Sequence, residues 1–366
     1  MKTHCVISGT GLFTPQAVIS NDELVASLNS HIDRHSDATD KSAQYSDSAF
    51  IEKASGIKSR HVIEKTGILD PDVMHPLLPE RSNNELSIQA EMAVDAARQA
   101  MQQAGRKAAD IQAVIVACSN MQRPYPAIAI EVQQALGIEG FAFDMNVACS
   151  SATFAITNAR ALIESGQANT VLVVNPEICS GHLDFRDRDC HFIFGDAATA
   201  LLIENRDTAS AEKQYGIIGC KLATEFSNNI RNNRGFLNRT HPETMNSRDK
   251  LFVQDGRKVF KEVCPMVAEH ITQHLHAEGL EADGLKKLWL HQANLAMNQL
   301  IAKKVLGRPA GKAEAPVILD QYANTSSAGS IIAFHLHRAD FAPGDTGIIC
   351  SFGAGYSIGS VLLKAL

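Results

Sequence analysis

Cys149, His291 and Asn324 are the side chains of this sequence best placed to do chemistry. Cys149 lies in Asp144-Met-Asn-Val-Ala-Cys-Ser-Ser-Ala-Thr-Phe, between a strand-like run over 141–147 and a small-residue helix expected over 150–164. At such a junction, unpaired backbone N–H groups and the positive end of the helix dipole favour an anion. The thiolate is the reactive form of cysteine, and this setting lowers a thiol pKa from about 8.5 toward neutrality. The segment alone fits a small buried hydrophobe equally well, the usual fate of a free cysteine. His291, in Trp289-Leu-His-Gln-Ala-Asn, closes a short apolar strand, and Asn324, in Asp320-Gln-Tyr-Ala-Asn-Thr-Ser-Ser-Ala-Gly-Ser, stands between a strand and a helix of small residues. Taken singly, His291 reads as a structural histidine and Asn324 as a helix N-cap. Their shared placement at the C-terminal ends of strands is what raises them, because α/β sheets build their sites on that side. The late Phe352-Gly-Ala-Gly-Tyr-Ser-Ile-Gly-Ser lets backbone approach a ligand closely, or simply turns a hairpin.

The elements that must position these residues alternate along the chain. Strands are expected at 5–8, 114–118, 141–145, 170–174 and 197–203, and helices at 85–104, 128–136 and 150–164, with Gly105 and Gly137 as C-terminal stops. The second half repeats the rhythm: strands at 216–222, 288–291, 317–319, 347–351 and 357–363, and helices at 259–277, 295–306 and 326–338. Residues 1–205 and 206–366 thus read as two similar α/β halves, and the alternation predicts mainly parallel sheets covered by helices. Two polar stretches, 29–48 and 64–84, the latter with Pro71, Pro76 and Pro79, read as insertions.

Composition narrows the function classes. With 366 residues, 45% hydrophobic and 20% charged, the chain is globular and large enough for two core-bearing halves. A net charge of -6 argues against a broad nucleic-acid footprint, although Arg231, Arg234 and Arg239 share one polar loop. The N-terminus lacks a signal-peptide pattern and no apolar run reaches about 18 residues, so a cytoplasmic protein without membrane insertion is expected. Eight scattered cysteines without a CxxC pair fit reduced thiols. Of the 14 histidines, His270, His274 and His276 share a helix; with no HExxH pattern and no evident acidic ligand, a solvated helix face is expected there rather than a metal site. His335 and His337 flank one residue and so point to different faces.

The segments VACSSATFAI, HQANLAM, NTSSAGS and FGAGYSIGS, in this order, resemble the condensing enzymes of the thiolase fold, and β-ketoacyl-acyl-carrier-protein synthase III in particular. The resemblance covers nearly the whole chain, including Ile7-Ser-Gly-Thr-Gly, Ser55-Gly-Ile-Lys-Ser-Arg-His and Phe194-Gly-Asp-Ala-Ala. It implies a five-layered αβαβα arrangement of two duplicated halves, usually a homodimer, with a triad of Cys149, His291 and Asn324. The implied chemistry is acyl transfer from an acyl-CoA to Cys149, followed by decarboxylative Claisen condensation with malonyl-acyl carrier protein. Backbone N–H groups of Cys149 and Ala354 would hold the thioester oxygen, and His291 and Asn324 would donate to the enolate. No metal, nucleotide or redox cofactor is implied.

Departures from the family pattern bear on the substrate. Phe50 and Ala54 stand where a Trp and an Arg clamp the adenine in acetyl-primed members, while Arg188 matches a second family arginine at the nucleotide. Ala296 replaces a carrier-docking arginine, although Lys303 and Lys304 follow, and Arg257, Lys258 and Lys261 add positive charge for an acidic carrier protein. Met121 and Tyr125 resemble residues near the family's acyl pocket and dimer contact. The altered clamp points to a medium or longer primer. Among rivals, a non-decarboxylating thiolase would need a second cysteine, with Cys350 close to the right place; a hydroxymethylglutaryl-CoA synthase would need a catalytic glutamate without an evident candidate; a papain-like hydrolase lacks its local cysteine signature.

Overall fold

The computed structural model describes residues 4–36 and 44–366. In the first half, β1 (Cys5–Phe13) is followed by β2 (Ala17–Ser20), α1 (Asn21–His35), α2 (Ser48–Ser55), β3 (Ser59–Val62) and α3 (Thr66–Leu69). Then come α4 (Ile88–Ala104), β4 (Ala113–Ala117), α5 (Ile128–Leu136), β5 (Phe141–Met145), α6 (Ser151–Glu164), β6 (Thr170–Ile178) and β7 (Asp196–Asn205). The second half runs β8 (Tyr215–Ser227), β9 (Ile230–Arg231), β10 (Val253–Gln254), α7 (Gly256–Ala277), β11 (Leu285–Leu290), α8 (Leu295–Leu306), α9 (Leu319–Tyr322), α10 (Ala328–Leu336), β12 (Thr346–Gly353) and β13 (Gly355–Ala365).

Nine strands lie in the order β11-β12-β13-β8-β1-β7-β6-β4-β5. The order is symmetric about its middle. Going outward from β1, two antiparallel pairings (β1–β7, β7–β6) precede two parallel ones (β6–β4, β4–β5). Going outward from β8, two antiparallel pairings (β8–β13, β13–β12) precede the parallel β12–β11. The two half-sheets meet only at Val6 opposite Gly216 and Ile7 opposite Tyr215. The pairing is therefore mixed where mainly parallel sheets were expected. Its cause is local: β12 turns straight into β13 at Ala354, and β6 reaches β7 through a loop without an intervening α-helix, so both pairs return antiparallel.

Packing makes five layers. Strand β4, Ala-Val-Ile-Val-Ala, is buried on both faces, as a strand covered on two sides must be. One face of the first half-sheet meets α4 and α5 through Ala93, Ala97, Val114 and Val132. Its other face shares a core with α6 and α10, through Ile115, Ala155, Ile332 and Ile349, and this middle layer also contacts the second half-sheet. α7 and α8 cover the far side through Val263, Ile271, Ile301 and Leu362. A fourth cluster gathers Ile19, Leu24, Ile51, Val62 and Phe192 around the β2–β3 hairpin.

Several expectations are corrected. Residues 317–319 form no strand; the chain runs beside β11 through Leu288 N to Glu314 O and then turns into α9, since Pro316 removes a ladder donor. Asn29 to His35, expected to open an insertion, continue helix α1 behind the Ser20–Glu23 capping box, and 37–43 lie outside the described residues. His270 and His274 are buried, not solvated: both imidazoles bond the Ser360 hydroxyl, at 3.0 and 2.7 Å. The proposed division at 205/206 falls in the connection between β7 and β8.

Two glycines of β1 let α4 sit directly on the sheet. A Cβ at Gly9 would stand 2.0 Å from Ala100 O, and one at Gly11 1.8 Å from Ala96 O. Replacing Gly11 by Ala forces helix and strand apart and is expected to cost about 3 kcal/mol, seen as a lower urea midpoint at unchanged m-value. An unchanged midpoint would contradict this backbone-to-backbone packing.

Candidate active site

Each of the three segments reaches the site through a constrained turn. After β5, Ala148 takes a left-handed φ of 46°, and a 3-10 turn over Ala148–Ser150 carries Cys149 into α6. Side chains fix that turn. Asn146 Oδ1 accepts from Ala148 N (2.8 Å), and Ser151 Oγ accepts from Val147 N (2.9 Å) while donating to Ala148 O (2.7 Å). After β11, His291 N–H donates to Cys350 O (2.8 Å), which prolongs the ladder to the catalytic candidate. Gln292 and Asn294 of the same motif hold the exit: Gln292 Oε1 accepts from Ile318 N, and Asn294 caps α8 through Ala296 N and Met297 N.

Asn324 is not a helix N-cap, since α10 begins at Ala328 behind Ser327. It is bracketed instead by the Phe194-Gly-Asp segment, with Asn324 N donating to Ile193 O (2.9 Å) and Gly195 N donating to Asn324 O (3.1 Å). Both flanks are strained, Ala323 at φ 53° and Ser326 at φ 49°. Asn324 Oδ1 accepts from Ser326 N at 2.9 Å, which leaves the Nδ2 group as the donor open to a ligand.

These turns converge. A Cβ on Gly353 would stand 2.6 Å from Cys149 Cβ and 2.9 Å from its Sγ, so the β12–β13 hairpin touches the cysteine. The backbone N–H groups of Ala354 and of Cys149 itself, and the Ser326 side chain, lie on the side of the sulfur where they favour its anion, although the Ser326 hydroxyl makes no hydrogen bond among the described residues. The His291 ring stands edge-to-face with Phe352 at 5.2 Å, and its Nδ1 has no hydrogen-bond partner among the described residues. Cys149 is half-buried, whereas His291 and Asn324 are buried. A cleft of about 470 Å³, lined among others by Asn146, Ala148, Phe226, Ala354 and Tyr356, opens beside the hairpin.

Electrostatics overturns one expectation. Burial pushes the Cys149 thiol up to about 11, against the lowering effect of Ser326 and the two N–H groups, with the Glu177 carboxylate adding to the rise. Burial likewise pushes His291 down to about 4. Both shifts favour the neutral forms, a thiol and an uncharged imidazole, where a preformed thiolate was expected. Ser326 and Glu177 escaped sequence reasoning. Ser326 sat within the quoted NTSS segment, and Glu177 showed itself only as one charge in an otherwise apolar strand.

The remaining sequence candidates are distributed outside this cluster. Arg188 stacks over the Phe50 ring at 3.9 Å and donates through Nε to Tyr45 O at 2.7 Å, so these two do come together. Arg257, Lys258 and Lys261 on α7 and Lys303 and Lys304 on α8 are exposed. Met121 packs against Cys118 and the layer beneath α4 and α5, while Tyr125 is 81% exposed. Cys350 is buried with Val263 and Ile301 in the layer beneath α7 and α8, and burial raises its thiol, which does not suit a second catalytic cysteine.

Two duplicated half-sheets in five layers, with Cys149 after β5, His291 after β11 and Asn324 in the turn between α9 and α10, define a condensing enzyme of the thiolase fold. Residues 143–225 match the family described as 3-Oxoacyl-[acyl-carrier-protein (ACP)] synthase III, and residues 275–365 match its C-terminal part. The chain is 63% identical over 336 residues to the beta-ketodecanoyl-[acyl-carrier-protein] synthase of Pseudomonas aeruginosa, covering 91% of this chain and 96% of that one. It is 31% identical over 367 residues to a beta-ketoacyl-[acyl-carrier-protein] synthase III of Ruegeria sp., covering all of both. The crystal structure of 3-oxoacyl-[acyl-carrier-protein] synthase III from Aquifex aeolicus superposes with a TM-score of 0.77 at 25% identity, covering 98% of this chain and 99% of that one. The chain belongs to the 3-oxoacyl-[acyl-carrier-protein] synthase III family and is a condensing acyltransferase of fatty acid biosynthesis. The non-decarboxylating thiolase reading is not favoured.

A neutral resting thiol has a direct consequence. Alkylation of Cys149 by iodoacetamide should accelerate about ten-fold per pH unit from pH 7 to 9, following the thiolate fraction. A plateau already present at pH 7 would contradict it. Gly353→Ala should abolish acylation in a folded protein, because its methyl would displace the sulfur; unimpaired acylation would contradict the contact.

Proposed function

We propose that Cys149 is the acyl carrier of the reaction and that its preferred primer is an eight-carbon acyl-CoA. The observation that carries the nucleophile assignment is the contact of Gly353 with Cys149, which brings the Ala354 N–H to the side of the Cys149 N–H, where an acyl-thioester oxygen would find two donors. In the first step, Cys149 sulfur bonds the acyl carbon, the carbon–sulfur bond to coenzyme A breaks, and the thiol proton ends on the departing sulfur. In the second, malonyl-acyl carrier protein loses carbon dioxide, and the electron pair left behind resides on an enolate oxygen. His291 and the Asn324 Nδ2 group donate to that oxygen; asparagine suits the task because it donates without titrating. The enolate carbon then attacks the acyl-enzyme and expels Cys149 as thiolate. A sulfur with a pKa of about 11 recovers its proton at once, so each turnover consumes one proton and returns the neutral thiol. These steps balance without a metal or redox cofactor.

Primer length rests on two supports. The Pseudomonas relative is named for a ten-carbon β-keto product; two of those carbons come from a decarboxylated malonyl unit, which leaves an eight-carbon primer. The nucleotide clamp differs accordingly, with Arg188 lying on Phe50, so that coenzyme A must enter by lifting or overlaying Arg188. For the carrier protein, Arg257, Lys261 and Lys303 offer exposed cations on two packed helices, suited to steering an acidic partner. A homodimer fits the exposed apolar side chains Tyr125, Ile130 and Phe141 around the edge strand β5, where a second copy would place Met121 and Tyr125 near the acyl end. A cytoplasmic setting fits eight unpaired cysteines, and among the described residues no helix is long and apolar enough to cross a membrane.

A panel of acyl-CoAs, read by intact-protein mass spectrometry and by product formation, tests this. Octanoyl-CoA should label Cys149 and exceed acetyl-CoA by more than about ten-fold in kcat/KM, since each buried methylene contributes about 0.8 kcal/mol. 3-Ketodecanoyl product and carbon dioxide should then require malonyl-acyl carrier protein. Acetyl-CoA as the best primer would refute the chain length, and equal labelling of Cys149→Ala would refute the nucleophile.

A further inference from the structure

Glu177, the penultimate residue of β6, is a carboxylate buried behind the active site with no ion-pair partner among the described residues. Removing an unpaired carboxylate from water costs several kcal/mol, so the fold must offset it with donors. All of its oxygen- and nitrogen-borne donors come from two serines. Ser119 N–H reaches both oxygens, at 3.0 and 3.2 Å, and its hydroxyl bonds Oε2. Ser327 N–H reaches Oε1 at 3.1 Å, and its hydroxyl bonds the same oxygen. Burial raises the Glu177 pKa, and these donors oppose the rise.

Both serines belong to turns that serve the site. Ser327 directly follows Ser326, the strained residue whose N–H fixes the Asn324 amide at 2.9 Å and whose position influences both the Cys149 thiol and the His291 imidazole. Ser119 is connected less directly: its carbonyl accepts from Asn146 Nδ2 at 2.8 Å, and Asn146 Oδ1 in turn holds Ala148 N–H. One arm therefore reaches the Asn324 and His291 side through a single peptide unit. The other reaches the nucleophile turn through two further side-chain links.

We propose that Glu177 is a positioning residue that clamps the Asn324–Ser327 turn in its donating geometry, and so supports the decarboxylation half-reaction more than acyl transfer to Cys149. The carboxylate suits this task better than an amide would. Glutamine presents one oxygen to N–H and O–H donors that the carboxylate meets with two, and its NH₂ group faces the backbone N–H of one serine.

The proposal rests on the donor roles assigned to Asn324 and His291, and its test keeps the two apart. Acyl transfer from octanoyl-CoA to Cys149 and carbon dioxide release from malonyl-acyl carrier protein are measured separately in Glu177→Gln, Ser327→Ala and Asn324→Ala. Glu177→Gln should lower decarboxylation roughly ten- to a hundred-fold while acyl transfer falls at least ten-fold less, as expected for hydrogen bonds to a charged group. Ser327→Ala leaves the carboxylate and the Ser119 arm in place; it should show the same split at smaller amplitude, and it carries the test should Glu177→Gln fold poorly. Equal losses in both half-reactions, tracking a loss of folded protein, would make Glu177 merely structural and overturn the proposal. Unchanged decarboxylation in Ser327→Ala and Glu177→Gln would overturn it too. Intact decarboxylation in Asn324→Ala would instead refute the donor role itself.

Discussion

Gly353 rests against Cys149 so closely that no side chain fits between them. The rest of the site depends on this contact. Cys149 comes from the end of β5 at one extreme of the nine-strand sheet, and Gly353 from β12 on the opposite flank. The half-sheets themselves share only two residue pairs, at β1 and β8. What brings Cys149, His291 and Asn324 together is the middle layer, where α6 and α10 each pack against strands of both halves. A hydrogen at position 353 then lets Ala354 N–H reach the sulfur from one half while Cys149 supplies its own N–H from the other.

Strain gathers at the same place. Ala148, Ala323 and Ser326 all hold left-handed conformations that cost of order 1–3 kcal/mol apiece, and each lies within a residue or two of a triad member. Polar side chains stabilise two of these turns: Asn146 and Ser151 around Ala148, and Asn324 Oδ1 on Ser326 N–H. Rigid donors of this kind need no reorganisation when charge develops on a substrate oxygen. The same dense packing makes thiol and imidazole neutral at rest. Helix-end electrostatics thus loses to desolvation at Cys149, because the 3-10 turn offers only the cysteine's own N–H and the hairpin only that of Ala354.

Much of this was legible in the sequence because it depends on local pattern. α5 and α8 span the expected residues, and α4 ends at its glycine cap, since apolar periodicity and Gly stops are local signals. The family was legible through the order of four motifs. Long-range contacts were not. Pairing direction depends on which loops carry helices, and the 317–319 strand was lost to Pro316 and a turn into α9. His270 and His274 looked solvated because nothing near them in sequence announces Ser360 as their shared partner. Glu177 was invisible for the same reason: its serines lie 58 residues before it and 150 after it.

The central claim is that two backbone N–H groups, one from each half, polarise the acyl group carried on Cys149. Isotope-edited infrared spectroscopy of the octanoyl-enzyme, made with a ¹³C-labelled carbonyl, reads this directly. The thioester band should fall below that of the same thioester in water, and denaturing the acyl-enzyme should restore it. A band at or above the aqueous position would mean that the carbonyl sits outside the Cys149–Ala354 pair, and the account would fail.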